Sequence, residues 1–210
     1  GYALEKLGFP KAAFAADKIW TSSKSEGPTQ FAETRDFWRL KTMDLMQVHN
    51  LLSWEAHLDT LARMKADGQL RYIGITTSHG RRHRDIERIL AREAIDFVQI
   101  TYNSVDREVE DRILPLARER GIGVILNRPY QRGALVRRFA GEPLPDWVGE
   151  TGAKSWAQFL LKFIISHPTV TCAIPATTKV THVRENLDAA TGPLPDARLR
   201  ERMADYIRSL

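Results

Sequence analysis

Short apolar runs recur along the chain, and each is followed by a stretch with helical periodicity. The runs are nearly continuous and rich in valine and isoleucine, which is typical of parallel strands buried on both faces. We predict strands over residues 14–16, 43–48, 72–75, 97–100, 123–126 and 170–174. Between them, apolar residues fall on one helical face, as Trp54, Leu58, Leu61 and Met64 do before Gly68.

The spacing of these runs indicates the fold class. The predicted strands end at His49, Thr76, Tyr102 and Asn127, which lie 27, 26 and 25 residues apart. Strands that alternate with helices at this spacing indicate repeated right-handed β-α units. No Gly-x-Gly-x-x-Gly motif follows a strand, which weakens the alternative of an open, doubly wound sheet.

We therefore predict one α/β domain over residues 1–210, a (β/α)8 TIM barrel. Such a barrel needs about 250 residues, whereas six strands are visible in these 210 residues. Residues 1–7 have the pattern of a helix interior. We expect about six of the eight β/α units here, without the first two.

Composition narrows the class of protein further. The chain is 43% hydrophobic and 27% charged, which excludes disordered, collagen-like and disulfide-rich classes. Its single cysteine, Cys172, favours a reducing compartment such as the cytoplasm. No apolar run approaches the roughly 20 residues of a membrane span. The net charge of +5 suits an anionic small ligand as well as a nucleic acid.

Polar residues follow the predicted strands, where a β/α barrel carries its active site. These candidates are Lys18, His49, Asn50, Thr76, Thr77, Gln99, Tyr102, Asn103, Asn127, Arg128 and residues 175–179. His49 can donate a hydrogen bond or a proton to a carbonyl oxygen, or it can simply cap its strand. Lys18 can lower the pKa of a nearby tyrosine or act as a Schiff-base nucleophile; the alternative is an ordinary surface lysine.

Residues 174–186 have the features of a phosphate site. Small hydroxyl residues precede a predicted helix start, where backbone amides and the helix dipole bind phosphate. Lys179, His182 and Arg184 add positive charge nearby. The alternative is a plain loop with a threonine helix cap.

The basic run 79–84 allows a nucleic-acid interpretation. It lacks interleaved aromatic residues, so a solvated loop explains it equally well, and we expect no nucleic-acid partner. The six histidines contain no His-x-His pair, and no carboxylate cluster accompanies them. We therefore expect no metal site.

Five motifs in order resemble the aldo/keto reductase family over nearly the whole chain. They are DLMQVHN at 44–50, GQLRYIGI at 68–75, VQITYN at 98–103, LPLARERG at 114–121, and IPATTK at 174–179 followed by Glu185 and Asn186. Each motif alone has low specificity, but their order and spacing together are specific. The family has the (β/α)8 barrel fold and binds an extended NADPH without a Rossmann domain.

The resemblance implies a site and a reaction, in which a hydride passes from NADPH to the carbonyl carbon of an aldehyde or ketone. Lys18 and His49 match the lysine and histidine of the catalytic tetrad, and Thr76, Thr77 and Gln99 match the residues that hold the nicotinamide carboxamide. Residues matching those around the adenosine ribose, its 2′-phosphate and the adenine are Pro175, Ala176, Thr177, Thr178, Lys179, His182, Glu185 and Asn186. Positive charge at Lys179 and His182 favours NADPH over NADH.

Three departures from the family pattern matter. The tetrad tyrosine and aspartate lie upstream of Gly1 in this resemblance, and Tyr2 does not match that tyrosine. Asn127 and Arg128 stand where many members stack a tyrosine under the nicotinamide, as in some bacterial members, and we keep both as cofactor-binding candidates. Ala176 replaces the usual glycine of the phosphate loop.

These departures keep several functions open. The main interpretation is an NADPH-dependent reductase acting on a small carbonyl compound. The alternatives are an NADPH-binding barrel without catalysis, a lysine aldolase on the same barrel, and a basic interaction module. The expected substrate loops, residues 20–26, 50–55 and 130–147, contain tryptophans and favour an apolar, aromatic carbonyl compound.

Overall fold

Six strands alternate with helices in the computed structural model, which describes residues 1–9 and 13–210. The strands are β1 (Ala16–Ile19), β2 (Met43–Val48), β3 (Leu70–Thr76), β4 (Phe97–Thr101), β5 (Gly123–Asn127) and β6 (Val170–Ala173), and they are ordered in the sheet as along the chain. The helices are α1 (Tyr2–Lys6), α2 (Gly27–Trp38), α3 (Trp54–Ala66), α4 (His83–Arg92), α5 (Ile113–Glu119), α6 (Ala134–Arg138), α7 (Trp156–Ile165), α8 (Val180–Asp188) and α9 (Ala197–Ser209). The predicted alternation of strands and helices is confirmed.

The contacts within the described chain form two compact units. The first comprises Gly1–Thr77 and Glu93–Gln99, and the second comprises Ser78–Arg92 and Ile100–Leu210. The expectation of one barrel domain stays a prediction.

Parallel pairing aligns the strand ends of the first unit. The register sets Lys18 opposite Gln47 and Thr76 opposite Gln99. Gly74 lets β3 approach β4 closely, because a Cβ there would lie only 2.4 Å from the carbonyl oxygen of Phe97. The residues that end β1, β2 and β3 therefore lie along one edge, as the parallel arrangement requires.

The first strand begins later than the apolar run at 14–16 predicts. The Asp44 carboxylate accepts a hydrogen bond from the Ala15 amide at 2.7 Å, and the Ala15 carbonyl accepts from the amides of Asp44 and Leu45 at 3.0 Å. Phe14 instead stacks on Tyr72, with ring centroids 6.1 Å apart. Regular pairing starts at Ala16, so Lys18 lies within β1 rather than after it.

Helix α7 is the apolar centre of the second unit. Every residue from Trp156 to Ile164 is buried, and the Ser155 side chain caps the helix by accepting a hydrogen bond from the Gln158 amide. Lys162 is buried among them at 1% exposure. Its Nζ donates to the carbonyl oxygens of Thr191 and Pro193 at 2.8 and 2.9 Å, which compensates the buried charge.

Tyr102, one of the candidates that follow the predicted strands, has its hydroxyl engaged inside the second unit. It is fully buried, and its hydroxyl donates to Glu110 while accepting from Arg200 Nη2 of α9 at 2.5 Å. Burial opposes ionisation of Glu110, but hydrogen bonds from Arg107 and Tyr102 lower its pKa below the ordinary value. Arg200 Nε also donates to the Phe163 carbonyl oxygen at 3.0 Å. These hydrogen bonds attach α9 to the rest of the second unit.

Replacing Arg200 by methionine should lower the free energy of unfolding by about 3 kcal/mol, because buried acceptors lose their donor. Urea unfolding measures this change. Arg208 lies on the same helix with its side chain 60% exposed, so Arg208→Met should cost less than about 0.5 kcal/mol. Equal losses of unfolding free energy in the two variants would show that the buried contacts of Arg200 stabilise the fold no more than an exposed arginine does.

Candidate active site

His49 directly follows β2, in a 3-10 turn over His49–Leu51. Three residues of this connection, Asn50, Leu51 and Ser53, have left-handed backbones with φ of 54°, 55° and 43°. Such conformations are costly for residues other than glycine and cluster at functional sites. The strained turn supports a functional role for the segment that carries His49.

A hydrogen bond joins the Thr76 hydroxyl to the ring of His49. The Thr76 hydroxyl oxygen accepts from the Asn50 amide at 3.2 Å and lies 3.1 Å from Nδ1 of His49. When the hydroxyl donates to Nδ1, the imidazole hydrogen lies on Nε2; when it accepts from Nδ1, Nε2 is the acceptor of a neutral ring. The contact thus links the orientation of the Thr76 hydroxyl to the tautomer of His49.

The surroundings of His49 favour its neutral form. Burial lowers the pKa of the imidazole below 6.5, and the positive charge of Lys18 on β1 lowers it further. Lys18 and His49, which the resemblance pairs, thus lie close enough to interact electrostatically. At neutral pH this arrangement presents an uncharged hydrogen-bond donor beside a cation.

Trp20 adds an aromatic surface beside His49. The two rings meet edge to face, with centroids 5.5 Å apart, and the tryptophan is 67% exposed. Its backbone is tied to α2, since its amide donates to Gln30 Oε1 at 2.8 Å and its carbonyl accepts from Gln30 Nε2 at 3.2 Å. The predicted substrate loop 20–26 therefore starts with an exposed indole at the candidate site.

The three nicotinamide candidates are brought together at the ends of β3 and β4. Thr76, Thr77 and Gln99 are buried, and the Thr77 amide donates to the Gln99 carbonyl oxygen at 3.0 Å. Sequence reasoning missed Gln47, whose Nε2 donates to Gln99 Oε1 at 3.4 Å. Its Oε1 is buried without a hydrogen-bond partner among the described residues. The signal available in the sequence was that Gln47 is a polar residue within a largely apolar strand.

The second unit contains a cavity of about 710 Å³. Its lining includes most of the sequence-predicted cofactor residues, namely Asn127, Arg128, Pro175, Ala176, Thr177, Lys179, His182, Glu185 and Asn186. Thr178 and Arg184 are not among the lining residues. Tyr130, Arg132 and Arg137 do line the cavity, although the sequence assigns that segment to a substrate loop.

The predicted phosphate loop leads directly into α8. Lys179 is the residue before the helix, and no side chain caps this helix start, so the predicted threonine cap is not formed. Thr177 Oγ1 instead accepts from the Lys179 amide at 3.2 Å and lies 3.3 Å from Nδ1 of His182. Two further lining residues are held from outside the loop. Ser155 donates to Glu185 Oε1 at 2.5 Å, and the Tyr130 hydroxyl donates to Asn186 Oδ1 at 2.8 Å.

The side chains of the basic run 79–84 contact different partners. His79 contacts Arg128, and the pKa of Arg128 is lowered by burial and by the charges of Arg132 and Arg81. Arg82 Nε, by contrast, forms an ion pair with Asp85 at 2.8 Å. Part of the run thus adds to the positive charge around Arg128.

The described part of the chain, residues 1–9 and 13–210, contains no group of three or more histidine, cysteine or acidic residues arranged to hold a metal ion. None of its helices is long and apolar enough to cross a membrane.

Comparison with known proteins identifies the family. The model of the aldo/keto reductase family matches residues 19–203. A probable aldo-keto reductase 1 of Glycine max is 24% identical over 96% of this chain and 68% of its own length. An uncharacterized oxidoreductase of Schizosaccharomyces pombe is 29% identical over 72% of this chain and 48% of its own length. The chain belongs to the aldo/keto reductase family and is an oxidoreductase.

Solved structures agree on the fold. The holo form of an aldo-keto reductase from Bacillus halodurans superposes with a TM-score of 0.79, at 21% identity, over 98% of this chain and 75% of that one. An aldo/keto reductase from Klebsiella pneumoniae, crystallised with NADP and acetate, gives 0.80 at 19% identity, over 98% and 73%. The predicted fold class, α/β of the aldo/keto reductase barrel type, is confirmed.

The pKa of His49 provides a test of this geometry. Lys18→Met should raise it, because a positive neighbour is removed, but not fully to 6.5, because burial is the larger cause. NMR titration of the His49 ring measures the midpoint. The exposed Lys24 provides the control, and Lys24→Met should leave the midpoint unchanged. A His49 midpoint that stays constant or falls in Lys18→Met contradicts the electrostatic pairing.

Proposed function

We propose that this protein reduces an aldehyde or ketone to an alcohol by hydride transfer from NADPH. The observation that carries the proposal is the hydrogen-bond contact of His49 with Thr76 at the strand ends, where burial and the charge of Lys18 lower the pKa of the imidazole. Membership of the aldo/keto reductase family supports the same conclusion. The single free cysteine, Cys172, suits a reducing compartment such as the cytoplasm.

The cavity of the second unit suits the adenosine end of NADPH. Among its lining residues, Arg128, Arg132, Arg137, Lys179 and His182 are basic, while Glu185 is the acidic one. The uncapped start of α8 offers backbone amides and a positive dipole end to a phosphate. Positive charge at Lys179 and His182 would meet the 2′-phosphate that distinguishes NADPH from NADH.

Four residues of the first unit suit the carboxamide of the nicotinamide. Thr76, Thr77, Gln99 and Gln47 present buried polar groups at the ends of neighbouring strands. The unpartnered Oε1 of Gln47 is an acceptor that an amide N–H group can satisfy. This orphaned acceptor supports the fit of a carboxamide there.

His49 and Lys18 have separate tasks in this proposal. NADPH, when bound, supplies the hydride that adds to the carbonyl carbon. His49 donates a hydrogen bond from Nε2 to the carbonyl oxygen, which draws electron density from that carbon. The charge of Lys18 stabilises the negative charge that develops on the oxygen, which takes up a proton from the solvent to give the alcohol. Burial and, to a smaller extent, Lys18 disfavour protonation of His49. Thr76 maintains the tautomer throughout.

A chain that binds NADPH without catalysis is the second candidate. The resemblance to the family requires a tyrosine to protonate the alcohol oxygen. The hydroxyls of Tyr102, Tyr130 and Tyr206 already donate to Glu110, Asn186 and the Pro143 carbonyl oxygen. Burial raises the pKa of Tyr102 and Tyr130 above the usual value, so both stay protonated. The engagement of these three hydroxyls favours this alternative.

The substrate that suits the first unit is an apolar, preferably aromatic, carbonyl compound. Trp20 exposes most of its indole next to His49. An indole face binds aromatic and apolar groups with a defined geometry. An aromatic aldehyde is therefore the probe of choice for the first assays.

Substituting His49 by alanine should separate binding from chemistry. We expect kcat for NADPH-dependent reduction of an aromatic aldehyde to fall about a hundredfold or more, since general acid or hydrogen-bond catalysis is lost. The Kd for NADPH, measured by fluorescence titration, should stay within about twofold.

His83→Ala is the matched control, because His83 contacts Glu108 on the surface and should leave both values unchanged. Wild-type turnover in the His49→Ala variant would contradict the proposed role of His49. Wild-type protein that binds NADPH but never oxidises it supports the non-catalytic alternative.

A further inference from the structure

His57 of α3 is a buried histidine outside the residues that the proposed reaction uses. It is 0% exposed, and its Nε2 lies 3.1 Å from the carbonyl oxygen of Thr21. Thr21 belongs to the loop 20–26, which begins with Trp20. A buried imidazole from a neighbouring helix thus contacts the backbone next to the indole that meets His49.

The contact shows which ring nitrogen of His57 donates. A carbonyl oxygen only accepts, so Nε2 carries a hydrogen and donates it. Nδ1 is buried without a hydrogen-bond partner among the described residues. It faces the first residue of α2, Gly27, where the positive end of a helix dipole favours a lone pair over an N–H group. The environment on both sides of the ring selects one orientation.

Gly27 leaves the space that the ring needs. A Cβ at this position would lie 2.9 Å from Nδ1 of His57, closer than such atoms approach in folded proteins. The imidazole is therefore wedged between the start of α2 and the Thr21 carbonyl. This fit depends on a glycine at 27 and a planar donor at 57.

A second donor, from the residue before α3, holds the next residue of the loop. The Ser53 hydroxyl donates to the Ser22 carbonyl oxygen at 2.7 Å. Ser53 directly precedes α3, and its own carbonyl oxygen accepts from the His57 amide at 3.1 Å. Two successive loop carbonyls are thus held at the start of α3, one at the surface and one in the interior.

We propose that His57 is a positioning residue that fixes the loop 20–26, and through it keeps the Trp20 indole edge-on to His49. The inference rests on the proposed function for its effect on substrate. Loss of the His57 contact releases the Thr21 backbone and broadens the positions of Trp20. Substrate KM then rises, while NADPH, whose candidate residues lie elsewhere, binds as before.

Amide hydrogen exchange in the full chain tests the anchoring without any turnover. The amides of Trp20, Ser23 and Glu26 report on the loop, because each donates a hydrogen bond within it or to α2. In His57→Leu we expect their exchange to accelerate about tenfold or more, as for the loss of one buried hydrogen bond. His57→Gln, whose Nε2 reaches the same carbonyl, should restore exchange to near the wild-type rate.

Two further variants guard against a general loss of structure. Thr60→Val removes a hydroxyl that donates to the Ala56 carbonyl oxygen and accepts from Arg63, both on α3. In this variant the loop amides should exchange at the wild-type rate. Gly27→Ala displaces the imidazole while favouring helix formation, and it should accelerate the same amides even if His57→Leu does not fold.

The outcomes separate the two proposals. Faster loop exchange with a raised substrate KM and unchanged NADPH affinity supports the positioning role. Unchanged exchange in His57→Leu and Gly27→Ala overturns it, whatever the activity. Faster exchange with unaltered KM overturns the link to substrate. If the wild type shows no turnover at all, the proposed function fails, while the exchange result still decides the anchoring.

Discussion

The hydrogen bond between the Thr76 hydroxyl and Nδ1 of His49 is the contact on which the proposed chemistry depends. An imidazole can present a donor or an acceptor at Nε2, and only a donor can polarise a carbonyl oxygen. The Thr76 oxygen accepts from the Asn50 amide, and a hydroxyl hydrogen donated to Nδ1 would leave the imidazole hydrogen on Nε2. Burial and Lys18 then keep the ring neutral. The turn after β2, Thr76 at the end of β3 and Lys18 of β1 thus together determine the hydrogen bonding and the charge of His49.

The second unit depends on a different constraint, the concentration of positive charge around its cavity. Burial and the charges of Arg128, Arg81 and Arg132 lower the pKa of His79, and burial with the charges of Arg132 and Arg81 lowers the pKa of Arg128. Like charges held together in a folded protein destabilise it until an anion binds. A polyanionic ligand, such as the NADPH of the proposed function, would relieve this repulsion, and the start of α8 has no side-chain cap that would compete for its backbone donors.

Much of the fold and part of the site could be predicted from local sequence. Buried parallel strands leave continuous apolar runs, so β2 and β5 were recognisable, and polar residues after such runs pointed to His49 and Asn127. Contacts between distant segments leave no such pattern. The Tyr102 hydroxyl binds Arg200, 98 positions away, which no local motif reveals.

Other residues of the candidate sites were hidden for the same reason. His57 lies in an ordinary amphipathic helix, and only the packing of that helix against the loop 20–26 gives it a role. Tyr130 lies in a segment whose sequence suggests only a variable loop, yet its hydroxyl holds Asn186 in the cavity wall. The roles of His57 and Tyr130 depend on side-chain direction and on packing between distant segments, and the spacing of residues along the sequence reveals neither.

The tautomer of His49 is the property to measure first, by ¹⁵N NMR of the imidazole nitrogens at neutral pH. We expect a neutral ring with its hydrogen on Nε2 and a bare Nδ1 that accepts from Thr76. A hydrogen on Nδ1, or a doubly protonated ring, would contradict it, because His49 would then lack the geometry or the neutral charge that the proposed reaction requires.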